Sequence, residues 1–274
     1  MSQNAKLQKE ATAILKDTSR TFFIPISFLD GRLKSTVASA YLCMRAIDEI
    51  EDHPEIPSDA KQRMLRETAR LLAAPSFDEP AYIQLIKPYD QLLPPVTLRL
   101  GDWIRLCPEG IALQVKQSTA EMAEGMAKWA EKGWNIQTKE DLDDYTYYVA
   151  GLVGSMLSDI WRWHDGTETD RQLAIGFGRG LQAVNVLRNV DEDAERGVSF
   201  IPDGWSRQDL FEYARKNLAQ ADKYVISIKN RRIVLFCKLP LKLAHSTLKS
   251  LEAGKEKMTR SEVEAVVKEV QQET

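Results

Sequence analysis

Apolar residues recur along this chain at intervals of three and four far more often than at every second position, and that pattern predicts helices. One such stripe runs through Leu33, Val37, Tyr41, Met44 and Ile47. Alternating strands flanking Asn-Gly or Asp-Gly hairpins are hard to find. Breaks are expected at Pro25, at Asp30-Gly31, across 53–57, at Ala74-Pro75, at Pro94-Pro95, at Pro108, at Asp165-Gly166 and at Pro202-Asp203-Gly204. None reads as a linker, and no repeat or low-complexity tract is visible. The expectation is an all-α, single-domain chain over 1–274, with about eight or more helices bundled around a central cavity.

Composition narrows the function classes. Of 274 residues, 43% are hydrophobic and 28% charged, as in an ordinary globular chain. With 37 basic and 40 acidic side chains the net charge is −3, which argues against nucleic acid as a partner and requires local cations for any polyanionic substrate. Cys43, Cys107 and Cys237 lie too far apart in sequence to suggest a disulfide framework or a metal knuckle. The polar opening MSQNAKLQKE has no apolar signal core, and no stretch approaches the roughly 18 apolar residues of a membrane span. A cytoplasmic location is expected; any membrane contact, such as for release of an apolar product, would be peripheral and through the basic-apolar stretch 229–242, for which a buried or groove-lining helix is the favoured reading.

Two segments carry chemistry. In YLCMRAIDEIED, Tyr41, Arg45, Asp48 and Asp52 fall at offsets of 0, 4, 7 and 11, which stacks them on one helix face. Carboxylates one turn apart can share Mg2+, which prefers a few hard carboxylate oxygens completed by substrate phosphates, and an arginine one turn earlier can fork a phosphate. A solvated acidic helix end would look the same. In GLQAVNVLRNVDED, Gln182, Asn185, Asn189 and either Glu192 or Asp193 make a polar stripe on an otherwise apolar helix. Such a stripe is costly to bury unless it meets metal, ligand or itself. Gly176 to Gly180 resembles a dinucleotide loop, but no strand precedes it, so helix packing is expected. Trp161, Trp163 and His164 are expected to pack the core or its rim.

With these motifs the sequence resembles the squalene/phytoene synthase family. The likeness runs from Thr18-Ser19-Arg20-Thr21-Phe22 through Tyr41-x-x-x-Arg45-x-x-Asp48-x-x-x-Asp52 and the run from Tyr148 to Gly154, to Gln182-x-x-Asn185-x-x-Arg188 and Glu192-Asp193. The resemblance implies an isoprenoid-synthase fold, Mg2+ as cofactor, a small-molecule prenyl diphosphate such as farnesyl diphosphate as partner, and no obligate protein partner. It implies that Asp48, Asp52, Asn185, Asn189 and Asp193 ligate metal, and that Arg45 and Arg188 hold diphosphate with Gln182 and Asn185 nearby. It also puts Tyr41 beside the ionising carbon and Ser19 and Phe22 against diphosphate and prenyl chain. Arg260 is a further candidate contact. Gly151 and Gly154 would admit either a prenyl chain or a neighbouring helix.

The departures from the family pattern shape the expected reaction. Asn189 stands where the resemblance calls for aspartate, Val198 and Phe200 replace a cation and a phenol, and a tyrosine position falls at or near Ala244. These suggest that ionisation survives while the joining of two chains fails, so that water captures the cation. The expected reaction is hydrolysis of farnesyl diphosphate to farnesol and pyrophosphate. Head-to-head condensation of two farnesyl diphosphates to a C30 product is the alternative, and a decayed prenyl diphosphate-binding protein the third reading.

Overall fold

In the computed structural model, which describes residues 3–195, 197–255 and 257–273, the chain is helical with no strand among the described residues, as the periodicity predicts. The side chains of Gln3, Asn4, Arg20 and Thr21 lie outside the described set, so the Arg20-Thr21 part of the N-terminal motif is seen only as backbone. The chain divides into two compact units, 1–133 and 134–274. They join in sequence where Gly133 (φ 61°) and then Trp134 (φ 53°) take left-handed backbone, a break that the residue types alone do not announce.

The first unit contains α1 (Gln3–Thr18), α2 (Arg20–Phe28), α3 (Gly31–Glu51), α4 (Ser58–Ala73), α5 (Glu79–Ile86), α6 (Pro95–Leu98), α7 (Leu100–Leu106) and α8 (Glu109–Glu131). Helix α3 is its spine and packs against α1, α2, α4, α6, α7 and α8. Leu33, Val37, Leu42, Cys43, Met44, Ile47 and Ile50 are all buried along it, which is why so polar a segment holds its place. Several buried polar groups around it are bonded across helices. Ser39 Oγ donates to the Trp103 carbonyl at 2.7 Å, and Thr97 Oγ1 to that of Ala46 at 3.1 Å. Lys61 Nζ donates to the Glu51 carbonyl at 2.6 Å and thereby caps the end of α3. Pro25 does not break the chain as expected; it lies inside α2. It removes one backbone hydrogen bond from a short helix, a loss that burial of Ile26 and Leu29 outweighs.

The second unit contains α9 (Lys139–Thr146), α10 (Leu152–Asp165), α11 (Arg171–Glu195), α12 (Arg207–Ser227), α13 (Arg231–Glu252) and α14 (Arg260–Gln272). A π turn, Tyr147–Gly151, joins α9 to α10, and the Leu152 N–H reaches the Tyr147 carbonyl. Gly166 ends α10 in left-handed backbone (φ 77°), as Asp165-Gly166 predicts. The stretch 229–242 becomes the start of α13, with Ile233, Leu235, Phe236, Cys237 and Leu239 buried. Lys242 pairs there with Glu269 of α14 at 2.6 Å. Its apolar face therefore serves the core of the unit. No described helix is long and apolar enough to cross a membrane.

The glycine-rich run is a packing device. A Cβ at Gly178 would overlap the Ala150 carbonyl, and one at Gly154 the Ala174 carbonyl, so α10 and α11 cross at backbone contact. Gly154→Ala is expected to cost about 1–3 kcal/mol, because rigid backbone must move to admit one methyl group. Chemical denaturation measures this, and an unchanged midpoint would contradict the close crossing. Trp161 is fully buried, donates from Nε1 to the Tyr224 hydroxyl at 3.0 Å and meets Phe236 edge-on, in the packing role expected of it.

Candidate active site

In the first unit the structure gathers Ser19, Phe22, Tyr41, Arg45, Asp48 and Asp52. Ser19 caps α2, accepting the Phe22 N–H at 3.0 Å, which turns the Phe22 ring toward Tyr41 with ring centroids 5.8 Å apart. Burial pushes the Tyr41 phenol above its ordinary range, while a hydrogen bond with Ser19 and the Arg45 charge pull it part of the way back. Arg45 Nη2 lies 2.5 Å from Glu49 Oε1, and Nη1 is 3.7 Å from Asp48 Oδ2. Arg45 Nε is buried and has no hydrogen-bond partner.

Asp48 is the most perturbed group of this set. Removal from water, then the neighbouring Asp52 carboxylate, push its pKa up to about 8 against the opposing pull of Arg45. Asp52 is the exposed C-cap of α3, its N–H bonded to the Asp48 carbonyl at 2.8 Å. The helix thus holds two carboxylates in a relation that a cation would relieve. Glu49 was not singled out in the sequence, although its i,i+4 spacing from Arg45 is the signal that could have found it.

In the second unit, α11 carries Gln182, Asn185, Arg188, Asn189 and Asp193 on its C-terminal half. Asn185 Nδ2 donates to Gln182 Oε1 at 3.4 Å, and Arg188 Nε donates to Asn189 Oδ1 at 3.2 Å. Of the two acidic candidates, Glu192 is exposed and Asp193 is only 5% exposed, which favours Asp193 as the inward member of the stripe. The Asp193 carbonyl accepts the Val198 N–H at 3.0 Å, closing the chain back on the end of the helix. Phe200, where a phenol was expected, stacks on Tyr145 at 4.7 Å, and Ala244 is buried on α13. Arg260 does not join this set: it is 93% exposed and pairs with Glu264.

Among the described residues no three His, Cys, Asp or Glu side chains gather as a metal cluster. Each unit instead offers a pair, Asp48 with Asp52 and Asn189 with Asp193. That fits Mg2+, which takes few protein ligands and completes its shell with water and phosphate oxygens. The raised Asp48 and the unpartnered Arg45 Nε both suit a metal-diphosphate group.

Residues 15–210 match the family model described as squalene/phytoene synthase. Squalene synthase of Schizosaccharomyces pombe is 28% identical over 86% of this chain and 57% of its own length, and that of Homo sapiens is 27% identical over 85% of this chain and 61% of its own. The chain thus spans about three-fifths of these relatives. Among solved structures, TcSQS with the ligand BPH1237 superposes with a TM-score of 0.78 at 22% identity, over 97% of this chain and 86% of that one. A dehydrosqualene synthase in complex with ligand gives 0.67 at 20% identity, over 98% and 97%.

Proposed function

Because the chain belongs to the squalene/phytoene synthase family, we propose that it is a Mg2+-dependent enzyme that ionises farnesyl diphosphate and joins it head to head with a second molecule to give a C30 product. The observation that carries this is the α3 face, where Asp48 and Asp52 stand one and two turns beyond an arginine with a buried, unpartnered donor. Bound Mg2+ would supply positive charge to the departing diphosphate. Within the first unit Asp48 and Asp52 would ligate it; within the second, Asn185, Asn189 and Asp193 are the residues suited to ligate it. Arg45 and Arg188 would fork diphosphate oxygens, with Gln182 steadying Asn185. Ser19 would orient Tyr41, and Phe22 would lie along the prenyl chain.

The relatives named above are squalene and dehydrosqualene synthases, so they support condensation over the farnesol-releasing hydrolysis that Asn189, Val198, Phe200 and Ala244 suggested. Mass spectrometry of the products formed from farnesyl diphosphate and Mg2+ tests the choice: two joined prenyl chains support this reading, and farnesol as the main species rejects it.

Asn189 supplies a separate test. Its amide now accepts from Arg188, a task that a carboxylate would also perform. Asn189→Asp is therefore expected to lower the Mg2+ concentration for half-maximal activity, because it adds a charged ligand and loses no acceptor. A metal titration at fixed substrate measures this, and a raised requirement would place residue 189 away from the metal.

A further inference from the structure

Building on the diphosphate reading of α3, we propose that Glu49 is a stand-in for substrate: it holds the Arg45 guanidinium while the site is empty, gives way to the incoming diphosphate, and retakes Arg45 as pyrophosphate leaves. Glu49 follows Arg45 by one helical turn, and its Oε1 lies 2.5 Å from Arg45 Nη2. Asp48 is a poorer partner, at 3.7 Å from Nη1. The Nε donor has no partner at all. The guanidinium is therefore held at its Nη end, while Nε is shut away from solvent with its hydrogen bond unmade.

That asymmetry has a chemical consequence. A guanidinium binds a phosphate best through two parallel N–H groups, and the edge made of Nε and Nη2 is one such fork. A diphosphate approaching the partly exposed guanidinium would compete with Glu49 for Nη2, and a guanidinium freed from Glu49 can turn its unpartnered Nε to the same ligand. The Glu49 carboxylate also repels the diphosphate charge, so ion-pair competition and repulsion act in the same direction. Both side chains are partly exposed, 29% for Arg45 and 23% for Glu49, so the pair is screened and weak enough to be displaced. Glu49 thus positions Arg45 in the free enzyme and eases product release, at some loss of affinity.

Calorimetric binding of inorganic pyrophosphate in saturating Mg2+ tests this on wild type, Glu49→Gln, Glu49→Ala, Arg45→Gln and the Glu49→Gln/Arg45→Gln double variant. The Ala variant covers the case in which glutamine keeps a hydrogen bond to Arg45 or fails to fold. Both Glu49 variants are expected to bind roughly three- to fivefold tighter and to release pyrophosphate more slowly, and the gain should shrink to the part owed to repulsion when Arg45 is already glutamine. Equal or weaker binding by both Glu49 variants would overturn the proposal, as would an undiminished gain without Arg45. Wild type that binds no pyrophosphate would instead overturn the diphosphate reading on which the proposal rests.

Discussion

Asp48→Asn is expected to reduce turnover at least about a hundredfold, because the departing diphosphate loses metal-borne charge, and yet to raise the thermal midpoint of the metal-free protein. The gain should be larger at pH 8 than at pH 5. In the folded protein the Asp48 carboxyl is pushed up to about 8 by burial and by Asp52, whereas in the unfolded chain it titrates near 3.8. Between those values the folded state binds a proton that the unfolded state has released, so stability falls as pH rises through the window. The penalty is complete above pH 8 and mostly absent near pH 5. Asparagine carries no such penalty. With Mg2+ and inorganic pyrophosphate added, the order should reverse, since ligands that bind only the folded wild type stabilise it. Melting curves at the two pH values, with and without these additions, measure the effect. Full activity in the variant, or a midpoint lower than wild type at pH 8, would remove Asp48 from the proposed role.

The second large effect is the identity of the product. From farnesyl diphosphate and Mg2+ the expected main species contains two prenyl chains. Once the allylic carbon–oxygen bond breaks, the cation is partitioned between a second prenyl chain and water. A chain held in near-attack geometry gains roughly 7–11 kcal/mol from orientation in favourable cases, far more than water gains from abundance. The replacements that pointed to hydrolysis look different in place. Phe200 stacks on Tyr145 and Ala244 is buried, so both positions are taken up by apolar packing within the second unit. Run in 18O-water, the reaction should put no label in the hydrocarbon and should release intact pyrophosphate. Labelled farnesol as the main product would restore hydrolysis by capture of the cation. Label found only in phosphate would show attack at phosphorus and reject allylic ionisation altogether.

Much of this was legible in the sequence, for physical reasons that also explain the gaps. The α3 stripe could be read because 3.6-residue periodicity places Tyr41, Arg45, Asp48 and Asp52 on one face whatever the helix packs against. Gly166 was legible because the left-handed backbone that ends a helix favours glycine. Trp134 was not, because left-handed backbone at a tryptophan has no residue-type signature. The contact between Ser19 and Tyr41 joins separate helices and depends on how α2 folds back. The choice between Glu192 and Asp193 needed burial, since both positions fit the stripe. Pro25 misled because a local rule about helix breaking was outweighed by packing around it.

The π turn at Tyr147–Gly151 ties two parts of the second unit into one another's tolerances. A single π turn amounts to one residue more than an α-helix would use, and each residue of helix corresponds to about 100° of rotation. Removing one residue from the turn itself would close a regular α-helix in nearly the same phase, whereas removing one from the α-helical turns beside it would swing everything after it by that angle. Gly154 would then face away from the Ala174 carbonyl, and a bulkier side chain would be driven against it. The π turn thus takes up an extra residue without moving the glycine crossing, which the α-helical turns around it hold in register.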